Sequence, residues 1–381
     1  DAICNRSLRD NIIDDSFGVK YCLDCFEFKE ITSDKYLLRK ERSIEKISHE
    51  LKLDFALSKK QIQGSEFLVN CYKERKNAFL QAVCGAGKTE MCLSLISHVL
   101  NEFKIVGFVI PRIEIIKQVT QRMREYFPKT KITCLYGGEV INEESSFIIL
   151  TPQQLIKFYQ EFDLLIVDEV DAFPLANNPF FERLFLKSKK ENAITIYMSA
   201  TITKNHQKLI KNKELSYHLI SKRYHYKELA IPKFIKKDNF LDISILPLID
   251  EYVKKEVPLI IYVPSIEKGK KFFEVLMNNN YYVELITSET KFTKSIIKDF
   301  IRKNIQILVS TTILERGVTF KDISVIVLEA DSKVFNESTL IQVAGRVGRL
   351  DDDGEVIFLS KYQSKAMTEA KRKIIAFNNQ L

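Results

Sequence analysis

Short, nearly uninterrupted apolar runs alternate with longer amphipathic stretches through most of the chain. An apolar run with no polar face marks a strand buried on both sides, as in a parallel sheet covered by helices. Such runs predict strands near Phe79–Val83, Gly107–Ile110, Phe147–Leu150, Leu164–Val167 and Ile194–Met198. A second series follows near Leu259–Val263, Val283–Ile286, Ile307–Ser310, Val325–Glu329 and Val356–Leu359. The helix-length stretches between them complete βαβ units. Two α/β domains are therefore expected, with ligands at the carboxyl ends of their strands. Residues before Asp54 fit neither series, which divides the chain into an N-terminal module (1–53), a first domain (54–225) and a second domain (226–381).

Composition narrows the class. The 381 residues are 45% hydrophobic and 28% charged, the balance of a globular protein. No window approaches the ~18 apolar residues of a spanning helix. The N-terminus lacks a basic-then-apolar leader pattern, so a cytoplasmic protein is expected. Seven irregularly spaced cysteines do not form a disulfide framework. Of these, Cys71, Cys84, Cys92 and Cys134 read as reduced, buried small residues. The net charge of +8 is unevenly placed: Thr203–Asp238 holds ten basic residues against three acids. Lys222 and Arg223 lie in its middle, among Tyr217, Tyr224, Tyr226 and Phe234. The segment reads either as a surface that tracks and stacks on a single strand or as a solvated linker.

Three motifs carry chemistry. Ala82-Val83-Cys84-Gly85-Ala86-Gly87-Lys88-Thr89 follows a strand and opens a helix. Its A-x4-G-K-T spacing is that of a phosphate-binding loop: Gly85, Ala86 and Gly87 bring backbone N–H groups to the phosphates, Lys88 reaches the β and γ oxygens, and the Thr89 hydroxyl takes a Mg²⁺ position. The run Leu164–Val167 delivers Asp168 to the metal and Glu169 to the attacking water. Gln342-x-x-Gly345-Arg346-x-Gly348-Arg349 offers Arg346 and Arg349 as arginine fingers for a transition state rich in negative charge. Together the three predict ATP closed between two domains.

Further short elements complete an ordered set: Gln61 ahead of the phosphate loop, placed to read adenine; Pro111-Arg112; Tyr136-Gly137-Gly138; Thr151-Pro152; Ser199-Ala200-Thr201; and Thr311–Phe320. Over residues 57–360 this set resembles the superfamily-two helicases. Within them, Ala86–Met91, Leu165–Pro174 and Ser310–Phe320 most resemble the ComFA family, the late-competence DNA-uptake ATPases of Gram-positive bacteria. The resemblance implies two tandem RecA-like parallel-sheet domains behind a small zinc-ribbon-like module. It also implies an ATP-driven motor at the inner face of the membrane that pulls single-stranded DNA through an uptake channel. A channel protein and a phosphoribosyltransferase-like competence protein would be its partners, and oligomeric state stays open, a homo-oligomeric ring included. By the same resemblance Gln342, Arg346 and Arg349 complete the γ-phosphate site, and Arg112, Gly137, Thr151, Thr311 and Thr312 face the nucleic acid.

The family's module carries four cysteines for Zn²⁺. Here Cys22 and Cys25 form one C-x2-C pair, while Cys4 lacks a cysteine partner. Zinc held by Cys4, Cys22 and Cys25, with or without Asp1 as a fourth ligand, stands beside a metal-free module. The alternatives to an uptake motor are a replication-restart or RNA-remodelling helicase, and a scaffold with a decayed ATPase. Intact Lys88, Glu169 and Arg349 speak against decay.

Overall fold

The computed structural model describes residues 12–14, 20–22, 44, 46–137, 144–225, 227–237, 243–311, 320, 322–348 and 354–379. The chain divides into two compact units, Asp1–Ala82 with Lys88–Ile220, and Val83–Gly87 with Ser221–Leu381.

The first unit opens with β1 (Ile12–Asp14) and β2 (Lys20–Cys22), a two-stranded antiparallel ribbon. The elements α1 (Lys59–Lys73), β3 (Ala78–Ala82), α2 (Lys88–Met91), α3 (Leu93–Asn101), β4 (Val106–Val109), α4 (Ile113–Tyr126), β5 (Ile132–Leu135) and β6 (Phe147–Leu150) follow. Next come β7 (Phe162–Val167), α5 (Pro179–Ser188), β8 (Lys189–Ser199), α6 (Lys204–Lys211) and β9 (Ser216–Ile220). Seven strands make one parallel sheet in the order β5-β6-β4-β7-β8-β3-β9. Strands β3, β4 and β6 are buried at every position, as their apolar runs require. The core gathers around Phe79, Val109, Leu150, Val167, Leu184 and Phe185. Gly107 leaves room for it: a Cβ there would lie 2.8 Å from the Phe162 ring.

The second unit contains β10 (Lys233–Lys236), α7 (Leu246–Lys254), β11 (Leu259–Tyr262), α8 (Ile266–Asn278), β12 (Val283–Ile286) and α9 (Thr293–Ile301). It continues with β13 (Ile307–Ser310), β14 (Ser324–Val327), α10 (Glu337–Ala344), β15 (Val356–Ser360) and α11 (Lys365–Asn379). Its parallel sheet runs β10-β15-β14-β11-β13-β12 over a core that includes Ile249, Leu259, Phe272, Leu276 and Val309.

All ten predicted strands are present, shifted by a few residues at some ends. Five further strands are present: β1 and β2 pair with each other, and β5, β9 and β10 lie at sheet edges. Two of them fall inside the basic segment, which is therefore not simply a linker: it builds α6, β9 and β10. Arg223, read as a surface charge, is 1% exposed. Its guanidinium donates to the carbonyl oxygens of Val347 at 2.9 Å and Gly345 at 3.1 Å, and also to that of Gly348. The four cysteines outside the N-terminal module are free thiols, but only Cys71 and Cys92 are buried; Cys84 and Cys134 are partly exposed.

Candidate nucleotide site and nucleic-acid edge

The phosphate loop leaves β3 at Ala82 and turns through Gly85 and Gly87, whose φ values of 81° and 80° lie in the left-handed region that glycine alone enters freely. The Ala86 N–H donates to Val83 O at 3.1 Å, closing the turn. Lys88 starts α2, and its ammonium donates to Ala82 O at 3.1 Å, which holds it over the loop. Thr89 is buried beside it.

At the end of β7, Asp168 is 7% exposed and its Oδ1 accepts the Glu169 N–H at 2.9 Å. Glu169 itself takes φ 50°, a costly conformation for a residue with a Cβ, and this turns the chain sharply away from the strand. Burial pushes the Cys92 thiol well above its usual range, and the Asp168 charge adds to the effect. The carboxylate therefore lies within electrostatic reach of the residue just past α2. Two residues beyond Glu169, Asp171 Oδ2 accepts a hydrogen bond from Thr201 Oγ1 at 2.5 Å. This short contact fastens the acid loop to Ser199-Ala200-Thr201 at the end of β8. Behind it, Gln81 donates to Ala200 O at 3.0 Å and accepts from Tyr217 at 2.7 Å.

Parallel pairing sets the order of the motifs along one edge. With β5, β6, β4 and β7 adjacent in the sheet, their carboxyl ends place Tyr136-Gly137, Thr151, Arg112 and the Asp168 loop in succession. Arg112 is the N-cap of α4 and half-buried. Thr151 is buried at the start of a 3₁₀ turn, Pro152–Lys157. Gly137 is exposed with φ 41°. Gln61 is buried in the first turn of α1, where its Oε1 accepts the Ser58 N–H at 2.9 Å in a capping box. The adenine-reading role expected of it thus coincides with a helix cap.

In the second unit Gln342 is buried within α10, and Arg346 lies just past its end at 2% exposure. The carbonyl of Gly345, between them, is one of the three that accept from Arg223. Thr311 follows β13, half-buried. Thr312, Arg349, Asp1, Cys4 and Cys25 lie outside the described residues, and of Cys22 only the backbone is described, paired with Ile12.

The competence protein ComFA of Streptococcus pneumoniae is 34% identical to this chain over 375 residues, covering 95% of the chain and 87% of that protein. The chain belongs to the ComFA family. ComFA of Bacillus subtilis is 31% identical, covering 94% of the chain and 80% of that protein. A family described as type III restriction enzyme, res subunit, matches residues 41–204, and the helicase conserved C-terminal domain matches 243–351. Among solved structures, S. cerevisiae Dbp5 bound to RNA and ADP BeF3 superposes with a TM-score of 0.59 at 17% identity, covering 86% of this chain and 93% of that one. The Pyrococcus furiosus Hef helicase domain does so at 0.51 and 14%, covering 84% and 100%. These likenesses establish the fold, a pair of RecA-like parallel-sheet domains. Membership and the two domain matches make the chain a competence-associated, ATP-dependent helicase that uses Mg²⁺ and engages nucleic acid. Among the described residues no helix is long and apolar enough to cross a membrane.

Sequence spacing had no means of finding Asp171–Thr201 or Arg223. An Asp after two acids and an Arg in a basic run give no signal until the fold supplies their partners.

Proposed function

We propose that this family member is an ATP-driven translocase on single-stranded DNA, serving the uptake of transforming DNA. The observation that carries the reading is the 34% identity across 95% of the chain to a competence protein, in a chain that carries Lys88, Asp168 and Glu169 in intact motifs. Lys88 and the loop N–H groups of Gly85, Ala86 and Gly87 hold the phosphates. Mg²⁺ needs only one or two protein oxygens because phosphates and waters supply the rest, and the Thr89 hydroxyl with the Asp168 carboxylate fit that demand. The ion supplies neutralising charge at the phosphates. Glu169 orients a water and takes its proton as the water oxygen bonds to the γ-phosphorus and the bond to the β–γ bridging oxygen breaks. Arg346 and Arg349 meet the charge that develops on the transferred group, with Gln342 beside them. Arg112, Gly137, Thr151, Thr311 and Thr312 contact the strand.

The same reading places the protein at the inner face of the membrane, working with a channel protein and a phosphoribosyltransferase-like partner. It also gives the N-terminal module one Zn²⁺ on Cys4, Cys22 and Cys25. Zinc content of one per chain, abolished by Cys22→Ser, supports the metal site; folded, metal-free protein refutes it.

Steady-state ATP hydrolysis with no polynucleotide, single-stranded DNA, duplex DNA and RNA tests the core of the reading, with Glu169→Gln as control. Strong stimulation by single-stranded DNA, absent in the variant, is expected. Equal stimulation by RNA makes the chain an RNA-remodelling helicase, and no stimulation by any polynucleotide removes the motor.

A further inference from the structure

Phe173 is 90% exposed, the highest value among the large apolar side chains of the described residues. Its neighbours are not. Val170, Ala172 and Leu175 are buried at 1–2% exposure, so the chain on either side is anchored in the core of the first unit. Backbone hydrogen bonds fix the loop further, from Ala172 N to Glu169 O at 2.8 Å and from Leu175 N to Ala172 O at 2.8 Å. The Asn178 side chain donates to Pro174 O at 3.2 Å. An ordered loop therefore presents an aromatic ring to solvent.

The loop leaves the carboxyl end of β7, next in the sheet to β4 with Arg112, then β6 with Thr151, then β5 with Tyr136-Gly137. An exposed aromatic on the same strand-end edge as half-buried Arg112 and the exposed Gly137 backbone suits a single strand held by its backbone and by base stacking. The same loop also carries Glu169 four residues earlier, and Asp171, tied to Thr201, two residues earlier. We propose that Phe173 is a base-stacking platform for single-stranded nucleic acid, and that base engagement there is transmitted along this short loop to Glu169. The proposal rests on the single-strand reading above.

The chain contains no tryptophan, so Phe173→Trp introduces a single fluorophore at the platform. Titration with an oligo-dT strand quenches its emission, over the same concentration range that stimulates ATP hydrolysis. Leu186→Trp, 62% exposed in the last turn of α5, serves as the reporter away from the platform and stays unquenched. In Phe173→Ala the strand concentration for half-maximal ATPase stimulation rises about tenfold, and Phe173→Tyr restores it. If the wild-type ATPase responds to oligo-dT but Phe173→Trp emission and Phe173→Ala activation do not change, the platform is refuted and the ring is left to a protein partner. If the wild type itself ignores single strands, the underlying reading fails first and the platform with it.

Discussion

Glu169, the base in the proposed mechanism, has an unusual backbone, a left-handed φ of 50°, next to buried Asp168. Glu169→Gln keeps the side-chain shape and removes only the base, so kcat is expected to fall by about 10²–10⁴-fold. Nucleotide affinity should be retained, because Lys88 and the loop amides are untouched. Equilibrium nucleotide binding measured beside turnover separates the two effects, and a matching loss of affinity would reassign Glu169 to binding.

A second residue-scale consequence concerns acid stability. His206 is 2% exposed between the Phe79 and Tyr197 rings, with Nδ1 2.7 Å from Thr203 Oγ1, and burial pushes its imidazole down to about 4. The folded state thus prefers neutral histidine, whereas the unfolded chain takes up a proton below 6.5. This residue's contribution is fully present above 6.5 and is lost as pH falls toward about 4, amounting to about 2 kcal/mol between neutrality and pH ~5. Nearby, burial pushes the Glu182 carboxyl up to about 6, so its contribution has the opposite sign and is lost as pH rises through about 6. His206→Gln removes this histidine's contribution and leaves those of the other shifted groups, Glu182, His49 and His218 among them. Urea denaturation should show the gap between wild type and variant shifting by about 2 kcal/mol in the variant's favour on acidification. A pH-independent gap would mean that His206 titrates normally.

At the scale of elements, the strands that the hydrophobic pattern left out have a common cause. A central strand of a parallel sheet is buried on both faces and reads as an apolar run, whereas an edge strand need not: β12 does, but β9 and β10 do not. Strand β10 is Lys-Phe-Ile-Lys with three of its four residues exposed, and β9 reads Ser-Tyr-His-Leu-Ile. Neither forms an apolar run, and the charge around them suggested a linker instead. The same segment holds Arg223, whose forked guanidinium satisfies carbonyls at and beyond the end of α10, where helical partners run out. Arg223→Met takes the guanidinium donors away from those three carbonyls. A stability loss of roughly 3 kcal/mol or more is expected in urea denaturation. Arg223→Lys should recover only part of it, since an ammonium lacks the fork. An unaltered Arg223→Met protein would show that the carbonyls find other donors.

At the scale of the whole molecule, the repeated strand series announced two α/β bodies, because each must enclose its own apolar runs. The cores are separate: Phe79, Val109 and Leu184 in the first, Ile249, Phe272 and Leu276 in the second. Domains with their own cores unfold as their own cooperative units unless an interface couples them strongly. Two core substitutions test this. Gly107→Ala forces a methyl to within 2.8 Å of the Phe162 ring in the first unit and should cost about 1–3 kcal/mol by overpacking. Phe272→Ala empties a fully buried site in the second and should cost about 3–5 kcal/mol. Scanning calorimetry of the intact chain should resolve two transitions, each lowered by its own variant and left in place by the other. If both substitutions move one shared transition, the two cores melt together, and additivity of their effects in the double variant would then measure how completely they are coupled.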